Sequence, residues 1–407
     1  MTRGRVSQAR SKPRWRWVRL PGLLAVWASL GLGPALQAAP FLPGSDGQVL
    51  ERLPYSADPS ARQSRALRKG LRAAPGNLDL AVKLALNDIK LGKAEADPRF
   101  YGYAQGVLSP WWAMPEPPPA ILLPRALILQ NRHDFDGALA DLDKLLRLEP
   151  GNTQAWLARA VVLQVRGRYE EAQQSCLPLT ELDELLVPVT CLSSVVSLTG
   201  QAAKSYELLL DALEHATGLS AEQRLWSFTV LAEIAARMGK DAEAERFFRQ
   251  ALEANGKDAY LLAAYADFLL DQRRPGEVLA LLSDKTRVDS LLLRLGLAKR
   301  QLQASDLAET VASLQARFDA ARMRGENLHQ GDEARFALFL LDQPREALRL
   351  AQANWAAQRE PKDARILLEA AIAAREPQAA QAVVDMLGKT GMEHVQLRRL
   401  AGRLGER

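Results

Sequence analysis

The chain has 407 residues, more than one compact domain usually holds, and 48% of them are hydrophobic but only 6% aromatic. Its formal charge of +5 does not describe a basic surface, because seven of the 53 basic residues (Arg3, Arg5, Arg10, Lys12, Arg14, Arg16 and Arg19) precede the first acidic one, Asp46. Beyond residue 38, 46 basic side chains face 48 acidic ones. The clustered positive charge that displaces counterions from a nucleic acid is therefore missing, and no nucleic-acid partner is expected.

Residues 1–38 have the layout of a secretory signal peptide. The basic stretch leads into an apolar one from Leu20 to Leu36, and small residues close it at Ala35-Leu36-Gln37-Ala38-Ala39, before Pro40. Cleavage is expected after Ala38 or Ala39, which places the mature chain in the periplasm or outside the cell. The other reading is a retained anchor, although Pro21, Gly22, Gly31, Gly33 and Pro34 interrupt the stretch. No cysteine stands at the cleavage site to carry a lipid. Residues 39–77 read as a linker, marked by Pro40, Pro43, Gly44, Gly47 and Pro54, and an N-terminal helix.

From Leu78 to His394 the pattern repeats. In residues 119–152, Leu122, Ala126 and Leu129 share one helical face. Phe135, Ala138, Leu142 and Leu145 share a face of a second helix, and Pro150 closes the unit. Thirty-four residues on, Trp156, Ala160 and Leu163 take the first set of places, Gly167 and Tyr169 make the turn, and Ala172 and Cys176 follow. Residues 225–258 and 259 onward repeat the arrangement, with Ala232, Ala244 and Ala266 at the small positions. Two helices joined by a short turn approach closely only where small side chains meet, and large ones a turn away fill the remaining space. One such hairpin cannot bury its outer face, so the units must stack.

The alternation of large and small residues in 119–186 and 225–283 resembles the tetratricopeptide-repeat family, in an exported bacterial form. The resemblance implies an all-α fold, a right-handed superhelical solenoid of stacked helix-turn-helix repeats. Residues 78–395 hold about eight repeats on this reading, followed by a helical tail at 396–407. The first repeat is expected to reach its second helix late, after an insertion at Lys93-Ala94-Glu95-Ala96. Residues 187–220 and those from 289 onward match the signature weakly.

No residue group suggests catalysis, and neither a cofactor nor a metal is expected. His133, His215, His329 and His394 are isolated, outside any metal-ligand spacing. Gly388-Lys389-Thr390 lacks the upstream glycine of a phosphate-binding loop, since position 383 is Val383, and reads as a loop between the last two helices. Asp134 and Asp136 read as a helix start, and Asp141 and Asp143 as a solvated face.

Cys176 and Cys191 are the only cysteines. They lie on consecutive expected helices, each seven or eight residues from a bend near residue 183 or 184, which sets them side by side. In an exported protein such a pair suggests a disulfide; two core thiols are the alternative.

In the family this chain resembles, first helices line a concave groove that holds partner segments. Carried onto the well-matched repeats, the inward positions are Leu123, Leu127, Gln130, Asn131, Leu157, Val161, Gln164, Val165, Trp226, Thr229, Glu233, Arg237, Tyr260, Asp267 and Asp271. These residues either bind a partner or pack against a neighbouring repeat. The aromatic and proline-rich stretch from Asp97 to Pro119 is either a recognition surface or packing between the first two repeats, and Trp355 is expected to cap a helix pairing. Two functions fit. One is a non-enzymatic scaffold or adaptor holding protein segments, envelope proteins among them. The other is an accessory subunit of an envelope polysaccharide or lipid export system.

Overall fold

The computed structural model describes residues 59–325 and 330–404, with Ser45 alone before them. The expected leader, its cleavage site and His329 lie outside the described residues. Among the described residues the chain is helical without a strand, and no helix is long and apolar enough to cross a membrane.

Helix α1 (Pro59–Ala73) packs on α2 through Arg68 and Ser64, which both donate to the buried Asp88 carboxylate. Antiparallel pairs then follow in chain order: α2 and α3 (Leu78–Glu95, Arg99–Trp112), α4 and α5 (Pro119–Asn131, Phe135–Leu148), α6 and α7 (Thr153–Val165, Tyr169–Cys176). After the single-turn α8 (Leu179–Leu182) come α9 and α10 (Leu186–Val196, Ala202–His215) and α11 and α12 (Ala221–Met238, Asp241–Asn255). The series continues with α13 and α14 (Ala259–Asp271, Pro275–Leu282), α15 and α16 (Asp289–Leu302, Leu307–Met323) and α17 and α18 (Gln330–Phe339, Pro344–Ala357). It ends with α19 and α20 (Pro361–Ala374, Gln381–Thr390) and α21 (Val395–Leu404). Each pair packs mainly on its neighbours, so the fold is an all-α solenoid of stacked helix-turn-helix units.

One device closes the pairs. The residue that ends the first helix turns left-handed at His133, Gly167, Gly239, Arg273, Gln303 and Arg375, with φ between 54° and 77°. The next amide then bonds back to the carbonyl five residues earlier, as in Arg168 to Leu163 at 2.8 Å and Lys240 to Ala235 at 2.9 Å. The small positions are buried as close approach requires: Ala126, Ala138, Ala160, Ala172, Ala232, Ala244 and Ala266 are each 2% exposed or less. Around them sit large side chains such as Phe248, whose ring lies 5.2 Å from Tyr265 and 5.5 Å from Phe268.

Two local expectations are corrected, at Gly388-Lys389-Thr390 and at Asp141, and two others are settled. As expected, the first repeat reaches its second helix late: Lys93 to Glu95 extend α2 by an extra turn, and α3 begins only at Arg99. Gly92 allows this tight pairing, since a Cβ there would lie 2.8 Å from the Tyr101 ring. Gly388-Lys389-Thr390 is the end of α20 rather than a loop, because the left-handed stop falls one residue later, at Gly391. Asp141 is not solvated: it is buried, and Arg125 grips both its oxygens at 2.6 Å. Of the two readings for residues 97–119, packing is what the structure shows, with Tyr101, Trp111 and Trp112 against Ile121 and Ile128.

Cys176 on α7 and Cys191 on α9 are bonded, with their Cα atoms 5.7 Å apart and both side chains buried. Trp355 is buried in the core that the C-terminal helices share with α4 to α9.

That shared core shows that the solenoid coils back on itself. The connection between α18 and α19 lies across the turns of earlier pairs. Arg359 N–H donates to Val165 O at 2.7 Å, Tyr169 hydroxyl donates to Arg359 O at 3.2 Å, and the Gln358 amide reaches the His133 ring at 2.8 Å. The connection between α20 and α21 does the same further along, where Glu393 accepts from Ala202 N–H at 2.5 Å.

Candidate functional site at the inner wall

The first helices of the pairs form the inner wall, and the fifteen inward positions divide along it. On α4, Leu123 is buried, Leu127 packs between two apolar clusters, and Gln130 and Asn131 are half-buried. On α6, Leu157 packs on the core while Val161 is 45% exposed. The Gln164 side chain accepts from Ser194 Oγ at 3.3 Å, and the Val165 carbonyl takes the Arg359 bond already described. On α11, Trp226 packs against both large clusters, and buried Thr229 donates to Leu225 O.

Glu233 and Arg237 follow one and two turns on from Thr229. The Tyr260 hydroxyl donates to Glu233 at 2.6 Å, and Arg237 donates to Ser197 Oγ at 2.8 Å. Burial pushes the Glu233 carboxyl up, against the pull of Arg237 and of the Tyr260 bond. It pushes the Arg237 guanidinium down and the Tyr260 phenol well up. Yet Tyr260 keeps 53% of its surface open to solvent.

The next turns of α13 carry Asp267 and Asp271. Asp267 accepts from Arg294 on α15 at 2.8 and 3.2 Å and from Arg335 on α17 at 2.8 and 3.0 Å. Arg294 also reaches Asp332 at 3.1 Å. Burial acts to raise the Asp267 carboxyl, but the two guanidiniums outweigh it and hold the group well below its ordinary value. One turn later, Asp271 accepts from Arg365 on α19 at 2.7 and 2.8 Å and from Gln396 on α21 at 2.7 Å. Arg365 is held in turn by Glu369 at 2.8 Å. At the start of α19, Lys362 pairs with Glu360 at 2.9 Å, and the Asp363 carboxyl, pushed up to about 6 by burial, accepts from Asn354 and from Glu360 N–H.

The inner positions are thus brought together, but the chain itself engages many of them. The opposing set, Arg294, Arg335, Arg365 and Gln396, was not foreseen. It lies on first helices whose repeats match the signature weakly, where the inward register could not be transferred. The one usable signal was the two carboxylates, Asp267 and Asp271, on one face of a helix with inward aromatics. A separate groove of about 410 Å³, between α10, α11 and α12, is lined by Leu213, Phe228, Phe247, Arg224 and Arg246. Among the described residues no group of histidine, cysteine and carboxylate side chains is arranged to hold a metal.

Residues 129–184, which span the left-handed turns at His133 and Gly167, match the tetratricopeptide repeat family model. Over that stretch the chain is similar to tetratricopeptide repeats. A 55-residue stretch is 40% identical to the DnaJ protein P58IPK homolog A of Oryza sativa subsp. japonica, covering 14% of this chain and 12% of that protein. The chain therefore spans a small part of that relative. Among solved structures, the Cut9–Hcn1 hetero-tetramer of APC/C gives a TM-score of 0.38 at 13% identity, over 84% of this chain and 92% of the other. A tetratricopeptide repeat protein from Parabacteroides merdae gives 0.31 at 14%, over 70% and 98%. The human IFIT1 dimer with m7Gppp-AAAA gives 0.43 at 12%, over 86% and 87%.

Proposed function

We propose that this tetratricopeptide-repeat protein is a non-enzymatic scaffold, exported to the periplasm or beyond, that receives an extended protein segment along its inner wall. One observation carries the reading. Tyr260 and Val161 stay 53% and 45% exposed on a wall whose other large apolar side chains are packed. Aromatic groups in partly desolvated surroundings make the strongest interface anchors. The charged groups beside them, Glu233, Arg237 and Lys362, supply polar complements for main-chain and side-chain groups of a partner. Export is supported by the leader pattern and by the Cys176–Cys191 bond, since disulfides persist in oxidising compartments.

The test is site-specific photo-cross-linking in the source cells, with a benzophenone amino acid at position 260 or 161. Leu208 on α10, 47% exposed, is the control position. Discrete protein adducts at 260 and 161, and none at 208, are expected. Adducts at 208 alone, or none at the inner positions, would reject the reading. Mass spectrometry of the recovered chain should find an N-terminus at residue 39 or 40.

A further inference from the structure

The coil is closed along two lines. At the outer seam, the turns of three earlier pairs meet the connections of the later ones. A Cβ at Gly167 would stand 3.2 Å from the Arg359 side chain, one at Gly200 would stand 3.3 Å from Gly391 O, and one at Gly239 would stand 3.4 Å from Val395. All three glycines have positive φ, so their lack of a side chain serves both the turn and the close approach. The Arg359–Val165, Tyr169–Arg359 and Ala202–Glu393 hydrogen bonds run along the same seam. Inside, Asp271 holds Arg365 and Gln396, which belong to helices three and four pairs further along the chain.

Neither line is needed to hold any helix pair together. Each pair has its own left-handed turn, its own small-residue contact and its own apolar faces. A solenoid unit depends on its sequence neighbours, so the seam can part while every hairpin stays folded. Buried Met392 and Leu397 belong to the apolar cluster spanning both sides of the seam, which makes the closed form the resting one.

We propose that the segment from Arg359 to Gln396 is a built-in gate, latched at Asp271 and Glu393, that swings as a unit away from the turns at Gly167, Gly200 and Gly239 and so uncovers the inner wall. The proposal rests on the reading of that wall as the partner surface, but opening itself is measured without a partner. The latch is polar and sequence-distant, so weakening it frees the seam and spares the repeats. An extended partner segment would gain entry from the side, with no need to thread the coil.

The experiment is hydrogen–deuterium exchange on the full chain, wild type against Asp271→Asn and Glu393→Gln, with urea titrated below the unfolding transition. Peptides carrying the Arg359 and Ala202 amides report the seam, and peptides from α5 and α12 report the hairpins. In the wild type the seam amides should exchange faster than α5 and α12 and with weaker urea dependence. Each variant should raise seam exchange about tenfold and leave α5 and α12 within about twofold, which corresponds to a latch of about 1.4 kcal/mol. Seam amides that exchange at the rate and urea dependence of α12 would overturn the gate, as would variants that accelerate all peptides equally. A thiol titration showing Cys176 and Cys191 still bonded checks that the variants fold. Failure of the cross-linking at position 260 would reject the scaffold reading and leave the exchange result standing on its own.

Discussion

Replacing Asp267 by Asn should cost about 3 kcal/mol of stability, concentrated in α13 to α17. The carboxylate receives four charge-assisted hydrogen bonds from Arg294 and Arg335, whose side chains are only 6% and 15% exposed. Asparagine keeps the shape, offers one acceptor oxygen and removes the negative charge. Arg294 would keep its contact to Asp332 at 3.1 Å, while Arg335 would lose both of its charge-assisted bonds. Breaking a buried ion pair from one side costs roughly 3–5 kcal/mol because a charge is left uncompensated, and the surviving Asp332 contact sets the expectation at the low end. By contrast, the exposed pair Lys83–Asp79, with side chains 60% and 70% accessible, should lose at most about 0.5 kcal/mol when Lys83 becomes Met. Urea unfolding monitored by hydrogen exchange would compare the two, since unfolding of a solenoid need not be two-state. The double variant Asp267→Asn with Arg335→Gln should lose less than the sum of its singles, because it removes an orphaned charge. A loss at Asp267 no larger than at Lys83, or strict additivity in the double variant, would refute the argument.

Two further outcomes follow from buried groups. The Cys176→Ser, Cys191→Ser double variant should lose about 3 kcal/mol, the value for a closed loop of about 15 residues, with the loosening confined to α7 through α9. The wild type denatured without reductant should show no titratable thiol, and two thiols would sink the bond. Stability should also fall as pH drops below 6.5. Burial, with Arg237 and Arg365 nearby, pushes the His394 ring down to about 3, and its buried Nδ1 finds no hydrogen-bond partner among the described residues. The unfolded chain therefore takes up the proton first, so the contribution is full above pH 6.5 and is lost toward pH 3. The loss by pH 5 is about 1–2 kcal/mol. Urea midpoints at pH 7 and pH 5 should converge in His394→Gln, and an undiminished pH dependence in that variant would exclude His394 as its source.

The repeat was legible because its determinants are local. Alanines such as Ala160 and Ala172 mark where helices touch, and their spacing survives in any register of the superhelix. The disulfide was legible for the same reason, since Cys176 and Cys191 sit a short bend apart. Asp141 was misread because its partner, Arg125, lies on the other helix of the pair, and a carboxylate at a polar-looking position carries no mark of a bidentate contact. The end of α20 was misplaced because Gly388 looks like a stop, yet Gly391 alone takes the left-handed conformation there.

The inner wall was half legible, and the missing half has a physical cause. An inward register transfers only where a repeat carries the small residues that fix helix rotation. From α15 onward that marking weakens: Gly296 stands on α15 where Leu340 approaches, and a Cβ there would already lie 3.1 Å from it. The residues that such helices turn inward, Arg294, Arg335 and Arg365, look like ordinary surface arginines in the sequence. What identifies them is the pair of carboxylates four residues apart on α13, Asp267 and Asp271. Two like charges on one inward helical face repel each other and lose hydration together, so they require cations from elsewhere in the chain. The cations that meet them, Arg294, Arg335 and Arg365, come from later repeats curling back. The later repeats therefore bridge the inner wall through these ion pairs, and the proposed parting of the seam would widen the way to Tyr260 and Val161, which already keep 53% and 45% of their surface exposed.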